Sequence, residues 1–562
     1  MSDAGESRSI LASSAVMASG TVVSRVTGYA RNVLLVAAIG NGLHADLFNI
    51  GNTIPNMLYI LLAGGVFNAV LVPQLVRAQK NDADRGAAYT DRVITLAGIF
   101  LAVVTLVLVV AAPLVMRLFL DASYNCADMA AQRDSAIAFA RLCLPQVFFY
   151  GMFVLVGQVL NAHGRFGPMM WAPVANNVIS VLVLVLYLVW FGPIATHQDA
   201  SAYTRGQELL LGAGATLGIV VQLLILLPYL RASGVRYRPR YDFRHTGLGH
   251  TLRLGIWTVL FVVVNQVAFT VVVRLASSGT AAHGCGNQPA STTATGFTVY
   301  SSAYLLVTVP HAIITVSLAT AILPRLSAKA RDGDLGGLAG TLAGTLRTAL
   351  AFAVPFALAL PLVAYDVSKV LFGYGGSSQT FGNFAPSLML FGPGVVLFTV
   401  HYLMLRGFYA LELNRTVFFI QCAIAATNIV VAVVLVQRAT AAGTSPALVL
   451  AYGASYLVGS AVSYAMLARR LGGLETPASL RFLVRLVIAA GISTTVAWLV
   501  GYALPGGGED ISHLLAAFRL VTLACVDVVV FVGLARVMHI REVTTVLDLV
   551  VRRLPGRRSY HG

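Results

Sequence analysis

Residues 24–32 read SRVTGYARN and sit inside an apolar stretch that runs from Ile10 to Gly40. That stretch is long enough to cross a hydrocarbon core of roughly 30 Å. It nevertheless carries Arg25 and Arg31. A charge held in the core costs about 2.5–3.5 kcal/mol even on the lenient insertion scale. Two unneutralised arginines in one span point to a working site, and this segment decides how the chain is read.

The surrounding composition establishes the membrane. The chain has 562 residues, of which 57% are hydrophobic and 11% charged, and its mean hydropathy is +0.80. Apolar runs of about 20 residues, each able to span a bilayer as a helix, recur to the end. The first is too long for a cleavable leader, lacks a small-residue cleavage site and is followed by more of the same. We read fourteen spans between residues 11 and 537. Strand alternation is absent, so the fold class is an all-α polytopic membrane protein rather than a barrel. The net charge of +16 would suggest nucleic acid on a soluble chain, but here the basic residues gather in loops, and no nucleic-acid partner is expected. The five cysteines show no CxxC or His-paired spacing, so neither a metal nor a cofactor is expected.

Loop charge gives the orientation. With the N-terminus in the cytoplasm, 24 lysines and arginines fall inside, including Arg77, Lys80, Arg236, Arg238, Arg240 and the six arginines from Arg536 onward, against five outside. This asymmetry places both termini in the cytoplasm of a plasma-membrane protein. An internal repeat also shows. LVPQLVRAQK ends the second span and ILPRLSAKA the eighth, with Pro73 and Pro324 251 residues apart; LVMRLFL and DVSKVLFG end the third and ninth, with Phe119 and Phe372 253 apart. The shared offset equals six spans, so both copies face the same way, as in transporters that rock two halves about a central site. The expected organisation is a six-helix lobe over 1–235, a second over 236–472, two extra helices over 473–540 and a basic tail over 541–562.

On a straight helix Arg25 and Arg31 point about 120° apart. Gly28 lies between them, and a hinge there would aim both guanidiniums into one cavity. Neither has a carboxylate three or four residues away; Asp46 is the nearest acid. Two unpaired arginines suit a dianion, with phosphate or pyrophosphate matching the guanidinium fork. Arg274, in the seventh span, is the expected third cationic ligand. Other intramembrane charges are Arg141, Arg406 and Asp527. Basic groups dominate, which favours an anionic substrate over a proton or sodium relay built on carboxylates. GAGATLG (Gly212–Gly218) has no preceding strand and reads as close helix packing, not a nucleotide loop. Cys126 and Cys285 fall in outer loops, where a disulfide is permitted but not dictated.

The block SRVTGYARNVLLVAAIGNGLHADLFNIGNTIPNMLYILLAGGVFNAVLVPQL resembles the opening of the MurJ/MviN lipid II flippases of the MOP transporter superfamily, in an actinobacterial-like form. The likeness rests on Ser-Arg-x-x-Gly-x-x-Arg, Ala-Asp-x-Phe at 45–48, Pro-Asn at 55–56, Gly-x-Phe then Val-Pro, and ILPRLS in the second half. It implies two six-helix lobes and two C-terminal helices that form a groove for the lipid tail. It also implies that a polyprenyl-pyrophosphate-linked disaccharide-pentapeptide, lipid II, is turned from the inner to the outer leaflet. Ser24, Arg25, Arg31, Asp46 and Asn56 fall on its motif positions and are the implied substrate-binding residues. Tyr59 and Leu305 stand where better-known members carry arginines, so Arg274 is the candidate replacement.

The expected function is therefore lipid II flipping by alternating access, without bond chemistry. Membrane lipids surround the chain, and cell-wall synthesis proteins are the partners open to its cytoplasmic tail. The rivals are a MOP-type exporter of another polyprenyl-linked glycan or a drug, a membrane glycosyltransferase using a polyprenyl-linked substrate, and a division scaffold. A drug–cation antiporter calls for membrane carboxylates, and a glycosyltransferase for acidic residues on a large outer loop.

Overall fold

A computed structural model describes residues 3–61, 84, 86–194, 202–242, 248–281, 291–506 and 511–544, with side chains from residue 19 and, in the 248–281 helix, from residue 256. Every regular element among the described residues is helical: α1 (Asp3–Ile39), α2 (Leu43–Ile60), α3 (Ala87–Val110), α4 (Ala112–Phe119), α5 (Ala130–Cys143), α6 (Gln146–Ala162), α7 (Gly167–Phe191), α8 (Arg205–Ala232), α9 (Leu248–Ala281), α10 (Phe297–Pro310), α11 (Val316–Arg331), α12 (Leu335–Phe372), α13 (Ala385–Ala410), α14 (Asn414–Val436), α15 (Thr444–Leu471), α16 (Thr476–Ala503) and α17 (His513–Val537). Thirteen stretches among the described residues are long and apolar enough to cross a membrane. The expected second span, 46–76, is described only as far as Leu61, so the count of fourteen rests on the sequence.

Local chemistry sets the helix ends. Thr204 and Gln207 form a capping box that opens α8, with Thr204 N–H donating to Gln207 Oε1 at 2.9 Å and Gln207 N–H to Thr204 Oγ1 at 3.4 Å; each bond satisfies an orphan donor of the first turn. Gly192, at φ +73°, ends α7 in a conformation that other residues adopt only with strain. Pro145 separates α5 from α6 inside one long span, since proline cannot supply the next amide donor. Asp334 caps α12 by accepting from Gly337 N–H at 2.7 Å. That bond, with Lys329 at 3.4 Å, holds the Asp334 carboxyl below its ordinary range.

The described chain packs as two compact units. The first comprises residues 1–298 together with 374–380 and 440–444. Within it α7 lies against α1 and α8, α6 against α3 and α8, and α2 against α5. An apolar core runs through Val93, Ile94, Phe153, Leu155, Leu160 and Leu226. The linker after α8 folds back on α3: Arg240 N–H donates to Thr95 Oγ1 at 3.2 Å, and Arg92 pairs with Asp242 at 2.5 Å. The second unit holds the remainder from residue 299, with α12 packed on α11, α13, α16 and α17. The packing division thus falls beyond α9, whereas the repeat boundary at 235/236 is a property of sequence periodicity; we keep that boundary as a proposal.

Candidate functional site

The site residues expected from the sequence all lie in the first unit. Helix α1 is continuous from Asp3 to Ile39, and Gly28 lies within it. Gly28 faces α7: a Cβ there would stand 3.4 Å from Asn177 Nδ2, close to ordinary contact. The same Asn177 amide donates to the Ser24 carbonyl and to Thr27 Oγ1, each at 2.9 Å. Ser24, Thr27 and Gly28 share one helical face, and that face is the seam between α1 and α7.

Arg31 lies one turn beyond Gly28 and is half-buried, while Arg25 points to the exposed side. No hydrogen bond or ion pair holds the Arg31 guanidinium among the described residues; its named neighbour is Tyr150 on α6, within electrostatic reach. Tyr150 in turn packs on Tyr59 of α2, with ring centroids 4.7 Å apart. On α1, the buried Tyr29 hydroxyl and Asn32 Oδ1 have no hydrogen-bond partner among the described residues; two residues before and one after Arg31, they leave the helix on other faces than its guanidinium. A free buried polar atom costs about 1–3 kcal/mol, so these atoms mark a place built to receive polar groups. Sequence reading missed Tyr29, Asn32 and Tyr150. Tyr29 and Asn32 were signalled only by their nearness to Arg31 in sequence, Tyr150 by nothing, and aromatic residues in a span read first as packing.

Along α2 the polar residues divide. Asn52 Oδ1 accepts from Gln146 Nε2 at 3.0 Å, and Gln146 also donates to Thr216 Oγ1 at 3.3 Å. Asn56, one turn on, is exposed. Asp46 is fully buried (0% exposed). Its oxygens accept from Thr280 Oγ1 at 2.8 Å, Phe297 N–H at 3.1 Å and Thr298 N–H at 2.7 Å. Asn49 adds a bond from Nδ2 to Thr298 Oγ1 at 2.9 Å. Asp46 therefore caps the first turn of α10, where a negative group also meets the positive end of the helix dipole. Gly296 is required beside it, because a Cβ there would collide with Asp46 Oδ2.

Arg274 has a different engagement from the one expected. Its Nη1 donates to the Arg117 carbonyl at 2.7 Å, closing the C-terminal turn of α4. Ser277 reinforces the corner by accepting from Asp121 N–H at 2.8 Å. Cys126 is disulfide-bonded, while Cys143, Cys422 and Cys525 are free; Cys285 lies outside the described residues. No group of three or more metal-ligating side chains occurs among the described residues. The arrangement is thus a half-buried guanidinium without a hydrogen bond or ion pair among the described residues, suited to holding an anion.

Comparison with known proteins follows the same line. A family model described as "Lipid II flippase MurJ" matches residues 35–514, beginning four residues after Arg31. The probable lipid II flippase MurJ of Vibrio cholerae is 26% identical over 416 residues, covering 73% of this chain and 74% of that protein. The lipid II flippase MurJ of Burkholderia cenocepacia is 28% identical over 476 residues, covering 84% and 86%. Among solved structures, a lipid II flippase MurJ in an inward closed conformation superposes with a TM-score of 0.69 at 15% identity, covering 92% of this chain and 98% of that one. An inward-facing multidrug-resistance MATE transporter of the MOP superfamily gives a TM-score of 0.60 at 16% identity, covering 80% and 95%. At these identities the two structures speak for the fold.

Proposed function

We infer, since this chain belongs to the MurJ family of lipid II flippases, that it turns lipid II from the inner to the outer leaflet of the membrane it spans. The observation that carries the site is Arg31: a guanidinium half-buried in a membrane helix, without an acidic partner among the described residues, with Tyr150 within electrostatic reach. A pyrophosphate would satisfy that cation with paired charge-assisted hydrogen bonds. Arg25, on the exposed side of the same helix, makes the first electrostatic contact.

The head crosses by alternating access while the polyprenyl tail stays in lipid, so no covalent bond changes. Asp46 acts by position: it holds the start of α10 against α2, which keeps the outer end of the site in shape. Ser24 and Gly28 keep α1 seated on α7, and Asn56 offers an open amide toward the head group. The membrane potential assists the return of a cationic site, about 2.3 kcal/mol for each unit charge crossing 100 mV. Both termini lie in the cytoplasm on the positive-inside reading, and the basic tail after residue 541 is the surface open to cell-wall synthesis partners.

The test is rescue of cells depleted of their own lipid II flippase, combined with a measure of lipid II exposed at the outer leaflet. The intact chain restores both, and the Arg31→Ala chain, inserted at the same level, restores neither. Rescue without any change in exposed lipid II would overturn the reading.

A further inference from the structure

One intramembrane charge is left outside this account. Asp527 is the sole acidic residue of α16 and α17. It stands about 21 Å along a helix about 37 Å long, near mid-membrane, and is only 6% exposed. Its Oδ1 meets Ser493 Oγ at 2.8 Å and Thr494 Oγ1 at 3.2 Å, both from α16. Ser493 Oγ also lies 2.9 Å from the Ala490 carbonyl. One hydroxyl has one proton. If Ser493 gives it to Ala490, the carboxyl needs a proton of its own to bridge to Ser493; if Ser493 gives it to Asp527, the Ala490 oxygen loses that bond. The cluster is one positive charge short.

Among the described residues, charges on the helices packed around Asp527 do not supply that charge. On α17, Arg519 pairs with Asp366 of α12 at 3.5 Å, about 12 Å nearer the outer end, and Arg536 is exposed. On α12, Arg347 pairs with Glu475 and Glu542, and Lys369 lies over the Phe381 ring. On α16, Arg481 and Arg485 are exposed. Cys525 is exposed as well, and His513 bonds the Gly373 carbonyl. An unneutralised carboxylate at this depth is costly, and intramembrane carboxylates that persist pair with something.

We propose that Asp527, Ser493, Thr494 and the Ala490 carbonyl form a monovalent-cation site in the α16–α17 hairpin, occupied by a proton or by Na⁺. Carboxylate, hydroxyl and carbonyl oxygens are the donors a hard cation takes, and a proton on the carboxyl completes the same set with one fewer ligand. The site lies in the second unit and stands independently of the pyrophosphate reading.

The full chain in lipid nanodiscs tests it. The infrared carbonyl stretch of a protonated carboxyl is followed through a pH titration, and thermal unfolding is compared in NaCl and choline chloride. Asp527→Asn keeps a hydrogen-bond acceptor for both hydroxyls, so it should fold. A titrating band that the variant lacks identifies the proton. A Na⁺-specific rise in unfolding temperature that the variant lacks identifies Na⁺, and Ser493→Ala should then weaken Na⁺ about tenfold through loss of one ligand. Absence of both signals from the unmutated chain would overturn the proposal. So would persistence of either signal, unchanged, in Asp527→Asn.

Discussion

Removing the Arg31 side chain separates binding from folding more cleanly than any other change in the first unit. In the unliganded structure the guanidinium has no hydrogen bond or ion pair among the described residues. Its loss therefore breaks no bond that the fold relies on, and Arg31→Ala should insert and unfold like the parent. In the substrate complex the same change strips a charge-assisted contact from a phosphate held in a partly desolvated cavity. Truncating one partner of a buried charge pair costs about 2–5 kcal/mol. Because Arg31 is half-buried rather than fully buried, the lower part of that range applies, about 2–3 kcal/mol, or roughly a 30- to 150-fold loss of affinity. Arg31→Lys keeps the charge but not the fork, so it should recover only part of that loss. Arg25→Ala, on the exposed side, should lose less than Arg31→Ala. The assay is lipid II binding to purified protein in nanodiscs, paired with depletion rescue and a thermal melt. Wild-type affinity for Arg31→Ala, with the melt unchanged, refutes the assignment of Arg31 to the anion.

Further outcomes follow from the other contacts. Asp46→Ala should destabilise the first unit by about 3 kcal/mol, because two amide donors of α10 and the Thr280 hydroxyl lose their acceptor; Asp46→Asn should lower the unfolding temperature by about half as much. Gly296→Ala should reproduce part of the Asp46→Ala defect by displacing that carboxylate, which the same melt detects. Arg274→Ala should cost about 1 kcal/mol of stability through the lost α4 cap, with flipping per folded molecule close to the parent; a complete loss of flipping with an unchanged melt would instead return Arg274 to the substrate site. Tyr59→Arg placed in the Arg31→Ala background should restore part of the rescue, since Tyr59 packs on Tyr150 and Tyr150 neighbours Arg31.

The linear chain determined the membrane class, the helical fold and the family, and its loop charge gives an expected sidedness. Each depends on quantities summed along neighbouring residues: apolar run length, loop charge and motif spacing. Composition also singled out Arg25 and Arg31, because a charge in an apolar run stands out without any knowledge of its surroundings. What each polar residue does was decided only in three dimensions. Asp46, read as a site residue, accepts from Phe297 and Thr298, more than 250 residues along the chain. Arg274, read as a third cation, donates to the Arg117 carbonyl, 157 residues away. Gly28 faces Asn177 of α7, while Tyr150 gave no sign of its place within electrostatic reach of Arg31. The physical reason is the same in each case. In a medium without water, a polar group is defined by the partner that satisfies it, and only the folded chain brings that partner within reach.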